Sequence, residues 1–175
     1  MTGVQTCALP ILIWEAGKPH GMGLFGFRAL ITMRLEKNFG TWFREYRPIY
    51  TPLEAGMDRY LKFDHSFIGR DAVEAEIAAG GPARKLVMFV VDPDPTKPAD
   101  VLGDEPVWHN DVVVGWITSG GYAHYSGVSL AWGYIPAELA VEGETGFEIE
   151  IIGNRRLAKL QFDPVLDPEG LRMRA

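Results

Sequence analysis

The sequence predicts an α+β fold in which a helix-containing part is followed by a small antiparallel barrel or sandwich. Before residue 82, two segments carry hydrophobic residues at helical spacing. From Arg84 onward the hydrophobic residues alternate with a period of two, in five or six short segments that turn residues separate. We therefore place a boundary near Pro82 and expect the second part to form a barrel.

The first part contains two predicted helices and an ordered loop. Hydrophobic residues recur at helical spacing over residues 24–40, and Gly40 is the expected stop. A second helix is predicted over residues 68–81, where two glycines end it. The aromatic, proline-punctuated residues 41–56 predict an ordered loop, and the alternation in residues 59–63 predicts a strand.

The second part contains the predicted strands of the barrel. A proline-rich connection over residues 93–106 is expected on the surface. Residues 106–118 predict a hairpin that turns at Asn110 and Asp111. The other predicted strands cover residues 85–91, 129–135, 146–152 and 156–162.

Charge and composition exclude several classes of protein. The chain of 175 residues has a formal net charge of −6, which argues against a general nucleic-acid surface but leaves room for a local basic pocket. A single cysteine allows no disulfide within the chain. The apolar run at residues 7–14 is too short to span a bilayer. A signal peptide requires basic residues before its apolar run, and no basic residue precedes Lys18. We expect a cytoplasmic protein with no nucleic-acid partner and no membrane partner.

Two patterns that could mark cofactor sites are weak. The glycines of residues 21–26, "GMGLFG", match the dinucleotide fingerprint, but no hydrophobic strand precedes them, and a flexible turn is the better interpretation. The histidines are scattered and form no H-E-x-x-H motif, so we expect no metal site. We expect His109 to be solvated in its hairpin turn and His124 to have a structural role.

The densest group of candidate binding residues lies in residues 34–56. An indole such as Trp42 can stack on a planar heterocycle, and arginines bind carboxylates through two parallel hydrogen bonds. This composition suits a ligand that is flat at one end and anionic at the other. The alternative is that the same residues tie the loop down through ion pairs, and composition alone does not separate the two interpretations.

Four motifs occur in order along the chain: "MRLEK", "LEAG", "FIGR" and "TSGGYAH". With the residues around them, 25–48, 52–72 and 112–136, they closely resemble the C-terminal part of the dimethylglycine and sarcosine dehydrogenase family. The resemblance runs from about Leu12 to Arg174. It departs from the family near Ile31, where a polar residue is expected at or beside this position.

The resemblance implies a fold and a chemistry. Residues 12–82 would be the end of a folate-binding domain similar to the glycine cleavage aminomethyltransferase (T-protein), and residues 83–175 its small C-terminal antiparallel β-barrel. In the family an N-terminal flavin domain, which holds FAD, oxidises an N-methyl amine, and tetrahydrofolate captures the one-carbon unit as 5,10-methylenetetrahydrofolate. That domain is the implied partner within one polypeptide. The family's catalytic aspartate precedes the matching region, so we expect weak or no activity from this chain alone.

The resemblance also implies where folate would be bound. The first implied contact is the aromatic ring of Trp42. The second comes from Arg59 or Tyr60, and the resemblance does not say which of the two side chains faces folate. The last two are Arg172 and Arg174 of the C-terminal tail. It implies no catalytic residue and no metal ligand in this chain. Arg34 and Glu36 are expected to be mainly structural and to pair within the domain.

Two alternatives stay open at this point. The first is a stand-alone aminomethyltransferase of glycine cleavage, which is less favoured because "FREYRP" and "GGYAHYSG" look more like the dehydrogenases. The second is a non-catalytic barrel whose role is packing and contact between domains.

The first eleven residues, "MTGVQTCALPI", fall outside the resemblance. They resemble the conceptual translation of a common short-read sequencing adapter, so we interpret residues 1–11 as a non-native segment that marks a truncation. We expect this segment to be disordered or to make little contact with the rest. The alternative is a native N-terminal strand with "CALPILIW" as its core.

Overall fold

A computed structural model describes residues 3–174, with side chains from residue 8 onward. The chain divides between Leu30 and Ile31 into two compact units. The domain boundary between residues 82 and 83 and the foreign origin of residues 1–11 stay predictions. In the described part of the chain, no helix is long and apolar enough to cross a membrane.

The first unit is helical. Helix α1 spans Gly3–Gly17, and a 3-10 turn follows it at Lys18–His20. Residues 3–11 are therefore helical rather than disordered, while the exposed side chains of Leu9 and Ile11 agree with the expected lack of contact. The alternative of an N-terminal strand is wrong, because alanine and leucine favour a helix and a strand needs a neighbour to pair with. The glycines of residues 21–26 follow helical turns and not a strand, so the dinucleotide fingerprint lacks its structural context.

Helix α2 spans Phe27–Glu36, within the predicted range, but it ends before the expected stop at Gly40. Asn38 ends it instead, with a left-handed φ of 53°, which asparagine adopts readily just past a helix. Gly40 has another role: a Cβ there would lie 2.3 Å from the ring of Tyr46. The glycine therefore lets this ring pack against the backbone.

We call residues 37–69, which lie between α2 and the next helix, the connector loop. Its backbone forms successive turns, among them a 3-10 turn at Asp58–Tyr60. The strand predicted over residues 59–63 is wrong, since none of the described strands pairs with this stretch. The amides of Tyr60 and Leu61 bond instead to carbonyls three residues earlier.

The predicted second helix is confirmed as α3, Arg70–Ala78, and six strands follow it. Their bounds are β1 Arg84–Val91, β2 Pro106–His109, β3 Val112–Ala123, β4 Val128–Pro136, β5 Phe147–Ile151 and β6 Asn154–Gln161. All neighbours pair antiparallel and close into a barrel in the order β1-β4-β3-β2-β5-β6. Closure removes exposed strand edges, which a small sheet otherwise has to protect.

Strand β1 is buried on both faces, which explains its continuous apolar run. Phe89 and its neighbours two positions away belong to the cluster inside the barrel. Met88 points the other way and packs outside the barrel with Leu35 of α2 and Trp132 of β4. The last turn of α2 thus covers the outer face of the barrel, and this places the connector loop beside β1.

The turn predicted at Asn110 and Asp111 is confirmed. Both residues have positive φ, 49° and 64°, the combination that a two-residue turn needs to match the twist of its strands. The expectation that His109 is solvated is wrong. Its ring packs against Phe147 at 4.8 Å between centroids, and Nε2 lies 3.0 Å from a carboxylate oxygen of Glu144, because the loop before β5 covers this end of the hairpin.

Candidate ligand-binding site

A fully buried carboxylate, that of Glu45, fixes the connector loop to the barrel. One of its oxygens accepts hydrogen bonds from Nη1 of Arg34 at 3.0 Å and from the amide of Thr41 at 2.8 Å. The other accepts from the hydroxyls of Thr118, at 2.9 Å, and of Ser119. Since the two hydroxyls belong to β3, a single side chain joins helix α2, the loop and the barrel. Arg34 has the structural role that the sequence predicts.

Two further buried carboxylates hold the same region. Glu54 accepts a hydrogen bond from Nε of Arg84 at 2.9 Å, which ties the loop to the start of β1. Glu36 accepts from the amides of Tyr125 and Ser126 at 3.1 and 2.9 Å, in the turn between β3 and β4. Glu36 therefore pairs within the domain, as expected. Buried carboxylates with several donors orient the backbone around them because leaving those donors unpaired is costly.

The C-terminal tail, residues 162–174, is attached to the end of α2. Nζ of Lys37 donates to the carbonyl of Asp167 at 2.6 Å and to its carboxylate at 3.1 Å. Burial raises the pKa of the Asp167 carboxyl, but the hydrogen bond from Lys37 and those from the amides of Arg172 and Leu171 outweigh it and hold the pKa below its ordinary value. An ionised Asp167 thus anchors the tail.

A cavity of about 760 Å³ lies among β1, β4, β6, the connector loop and the tail. Small-molecule sites have volumes of about 300–1,000 Å³. Aromatic rings make up part of the wall: Phe39, Tyr46, Trp132 and Phe162. The cavity wall also contains four cationic side chains and one carboxylate, that of Glu169. The cations are Lys37, Arg59, Lys85 and Arg174.

This cavity combines positive charge with apolar and aromatic walls in a chain whose net charge is −6. Burial raises the pKa of the Tyr46 phenol, so the hydroxyl stays neutral at physiological pH and can donate a hydrogen bond. Among the described residues, no group of three or more His, Cys, Asp and Glu side chains could hold a metal ion. The lining therefore suits an organic anion with a flat ring system.

Two of the five predicted contact residues lie at this cavity. Arg59 of the connector loop and Arg174 of the tail line it from distant parts of the sequence. Trp42, with 78% of its surface exposed, and Tyr60, with 65%, lie outside the lining, as does Arg172. The hydroxyl of Tyr60 accepts a hydrogen bond from Arg59 at 2.8 Å. The folate contacts assigned to these five residues stay predictions.

Sequence reasoning missed two cations of the cavity, Lys37 and Lys85. Lys37 belongs to the "MRLEK" motif, but nothing in the pattern shows that its side chain meets a tail 130 residues away. Lys85 offered a better signal. It follows Arg84 at the start of β1 and precedes an apolar run, where a charge must face either solvent or a polar site.

Two family models match the chain: the GCVT N-terminal domain over residues 5–65 and the glycine cleavage T-protein C-terminal barrel domain over residues 84–167. The mitochondrial dimethylglycine dehydrogenase of Rattus norvegicus is 36% identical over 172 residues, which cover 97% of this chain and 20% of that protein. An aminomethyltransferase of Acidobacterium capsulatum is 34% identical over 155 residues, which cover 87% of this chain and 39% of that protein. The chain thus spans about a fifth of the length of the dehydrogenase it matches.

The fold is that of a solved relative. The crystal structure of glycine cleavage system aminomethyltransferase T from Bartonella henselae matches with a TM-score of 0.68 and 22% identity, over 79% of this chain and 38% of that one. This likeness confirms the predicted α+β architecture with its small antiparallel barrel. Since the two family matches together cover more than four fifths of the sequence, the chain belongs to the glycine cleavage T-protein family, with a dimethylglycine dehydrogenase and an aminomethyltransferase among its relatives.

Proposed function

We propose that this chain is the folate-side module of a flavin-dependent N-methylglycine dehydrogenase of the dimethylglycine or sarcosine type. In this proposal the chain binds tetrahydrofolate, and its partner is the flavin domain of the same polypeptide, which holds FAD. The relationship to the rat dehydrogenase along nearly the whole chain supports the class of enzyme. The structural observation that carries the proposal is the cavity at which Arg59 and Arg174 lie beside aromatic rings.

The chemistry of the lining matches that of folate. Tetrahydrofolate has a fused ring and a benzoyl ring at one end and a glutamate with two carboxylates at the other. Aromatic side chains pack against flat rings, and guanidinium groups bind carboxylates through two parallel hydrogen bonds. The cavity holds both kinds of partner in one place, which a surface with scattered charges does not.

The proposed chemistry is the capture of a one-carbon unit. The flavin domain would supply an iminium ion whose methylene carbon comes from the oxidised N-methyl group. Bound tetrahydrofolate would supply the two nitrogens, N5 and N10, that take up this carbon as a 5,10-methylene bridge, and their two protons would pass to the amine, which would leave as an ammonium ion. The residues of this chain contribute by binding and orienting tetrahydrofolate.

Binding of tetrahydrofolate to the chain tests the proposal. Tryptophan fluorescence is recorded during a titration, because Trp132 lines the cavity. We expect a saturable change in the unaltered chain and a Kd raised by about 5-fold in Arg174→Ala. The same titration of Trp42→Ala tests the predicted folate contact of Trp42, since its ring lies outside the lining. Arg155→Ala, on the barrel surface beside Asp111, is the matched control and should leave the Kd unchanged. A titration with no saturable change contradicts the proposal and favours a role in packing and contact between domains.

A stand-alone aminomethyltransferase of glycine cleavage is the second candidate, since one such protein is 34% identical to this chain. Both candidates use the same folate cavity, so binding does not separate them. The coding sequence upstream does: a flavin-binding domain in the same reading frame supports the dehydrogenase, and a start codon shortly before a folate domain supports the transferase.

A further inference from the structure

Lys85 differs from the other three cations of the cavity. Lys37 forms an ion pair with Asp167. Arg59 donates to the neutral hydroxyl of Tyr60, and Arg174 donates to neutral backbone carbonyls of the tail. Lys85 is exposed and, alone among the four, has no hydrogen-bonding or ionic partner among the described residues. An ammonium group at a cavity wall that no protein group neutralises is available to a ligand.

The backbone around Lys85 is held firmly. Lys85 pairs with Ile135 in the ladder between β1 and β4. On either side, Nε of Arg84 donates to the carboxylate of Glu54 at 2.9 Å, and the amide of Leu86 donates to the Glu54 carbonyl at 2.8 Å. The cation therefore projects from a fixed point of the barrel, in contrast to Arg59 and Arg174, which lie on a loop and on the tail.

Arg84, the basic neighbour of Lys85 on β1, is not part of the cavity wall. The guanidinium of Arg84 lies over the ring of Trp116, 5.6 Å from its centroid, and does not line the cavity. Lys85 lies at the cavity together with Leu86, Val87 and Met88. Only one of the two consecutive cations is thus available to a ligand in the cavity.

We propose that Lys85 binds the glutamate carboxylates of tetrahydrofolate, an inference that rests on the proposed function. A lysine ammonium is a compact charge with three rotatable donors, which suits flexible carboxylates. Asp167 pairs with Lys37, which leaves three cations at the cavity against the carboxylate of Glu169, so an anionic group brought by the ligand is attracted to this wall. Lys85 is a further partner beside the two arginines, because Asp167 pairs with Lys37 and no described carboxylate pairs with Lys85.

The test compares two lysines and two ligands by isothermal titration calorimetry. Lys85→Gln removes the charge at the cavity, and Lys159→Gln removes the same charge from an exposed position on β6 outside the lining. The ligands are tetrahydrofolate and its glutamate diamide, which lacks the carboxylate charges. At low salt we expect Lys85→Gln to raise the Kd of tetrahydrofolate by about 3- to 5-fold, with the difference shrinking as salt is added.

Three further titrations show whether a loss of affinity in Lys85→Gln comes from the missing charge at the cavity. Lys159→Gln should bind tetrahydrofolate like the unaltered chain, Lys85→Arg should retain most of the affinity, and the diamide should bind the unaltered chain and Lys85→Gln equally. Equal Kd values for Lys85→Gln and Lys159→Gln with tetrahydrofolate, or an equal loss with the diamide, overturn the role of Lys85 and leave the proposed function standing. No binding of tetrahydrofolate to the unaltered chain overturns the proposed function and this inference together.

Discussion

The barrel and the connector loop lie side by side, yet different interactions hold them. The barrel is a closed ladder of backbone hydrogen bonds around a core that includes Phe89 and Phe147. The connector loop has no strand and only short turns, and three buried carboxylates hold it and the end of α2, those of Glu36, Glu45 and Glu54. Stability is therefore spread over many apolar contacts in the barrel but concentrated in a few polar side chains in the loop.

This difference has a consequence for the candidate site. The barrel contributes the fixed wall of the cavity, including Lys85 and Trp132, while the loop and the tail contribute Arg59 and Arg174. A change in the barrel core should weaken both regions, because the loop is anchored to β3. A change at a loop anchor should release the loop and leave the barrel folded.

The largest effect is expected from the barrel core. Phe89 is fully buried and meets the ring of Phe147 at 5.3 Å between centroids. Phe89→Ala should lower the free energy of unfolding by about 3–5 kcal/mol, because it leaves a cavity as well as removing apolar contacts. Urea denaturation measures the loss. Ile68→Ala, at a fully exposed position of the connector loop, is the control and should change stability by less than about 0.5 kcal/mol. Similar losses of stability in both variants would contradict the conclusion that the stability of the barrel depends on its apolar core.

The next effect should be confined to the loop. Glu45→Gln keeps the shape of the side chain but removes the negative charge next to Arg34. We expect a loss of about 1.5–3 kcal/mol, the usual contribution of hydrogen bonds to a charged group. Hydrogen exchange should show faster exchange of amides in the connector loop and little change in β5 and β6. Glu138→Gln, an exposed carboxylate after β4, is the matched control. Faster exchange throughout the barrel would show that the loop is not a separate unit.

The same difference explains what the sequence predicts well. Alternating and apolar strands, and a turn such as Asn110–Asp111, depend on neighbours in sequence and on burial, so most barrel strands and α3 are predicted to within a few residues of their ends. The exception is β3, which runs to Ala123, five residues beyond the predicted hairpin. The strand predicted over residues 59–63 fails because alternation alone does not supply a pairing partner. The predicted end of α2 is also misplaced, because Asn38 and Gly40 both suit a helix end and the local pattern does not choose between them; the helix ends before Asn38.

The candidate site is predicted less well because its contacts join distant positions. Composition places arginines and aromatic residues in residues 34–56, but Glu45 reaches β3 and Lys37 reaches the tail, and no local pattern encodes either contact. The resemblance to the dehydrogenases places Arg59 and Arg174 near a ligand, and both line the cavity. Trp42 is the opposite case, since its exposed ring lies outside the lining.

A smaller effect of opposite sign is expected at a barrel turn. Ile152 and Gly153 form the two-residue turn between β5 and β6 with φ of 48° and 70°. A β-branched side chain is strained in this left-handed conformation, which asparagine adopts more easily. Ile152→Asn should raise the free energy of unfolding by about 1 kcal/mol. Ile152→Val keeps the branched Cβ and should bring no gain in the same urea denaturation. A loss of stability in Ile152→Asn would mean that contacts of the exposed isoleucine outweigh the backbone strain.

The smallest effect is local and depends on pH. Asp167 holds the tail through Lys37 and the amides it caps, and its pKa lies below the ordinary value of 3.8. A carboxyl whose pKa is depressed by folding stabilises the folded state fully above the unfolded pKa and loses this contribution as the pH falls through the folded pKa. The tail should therefore stay anchored at neutral and mildly acidic pH and loosen only under stronger acid.

Cleavage of the tail by pepsin over a series of acidic pH values measures this loosening. Asp167→Asn should make the tail cleavable throughout the series, because the neutral amide accepts a weaker hydrogen bond from Lys37. Asp163→Asn, at an exposed position in the same tail, is the matched control and should keep the pH dependence of the unaltered chain. If cleavage of the Asp167→Asn variant still rises with falling pH as in the unaltered chain, a group other than Asp167 anchors the tail. The loss of that rise would show that the tail, like the connector loop, depends on one carboxylate where the barrel depends on its whole core.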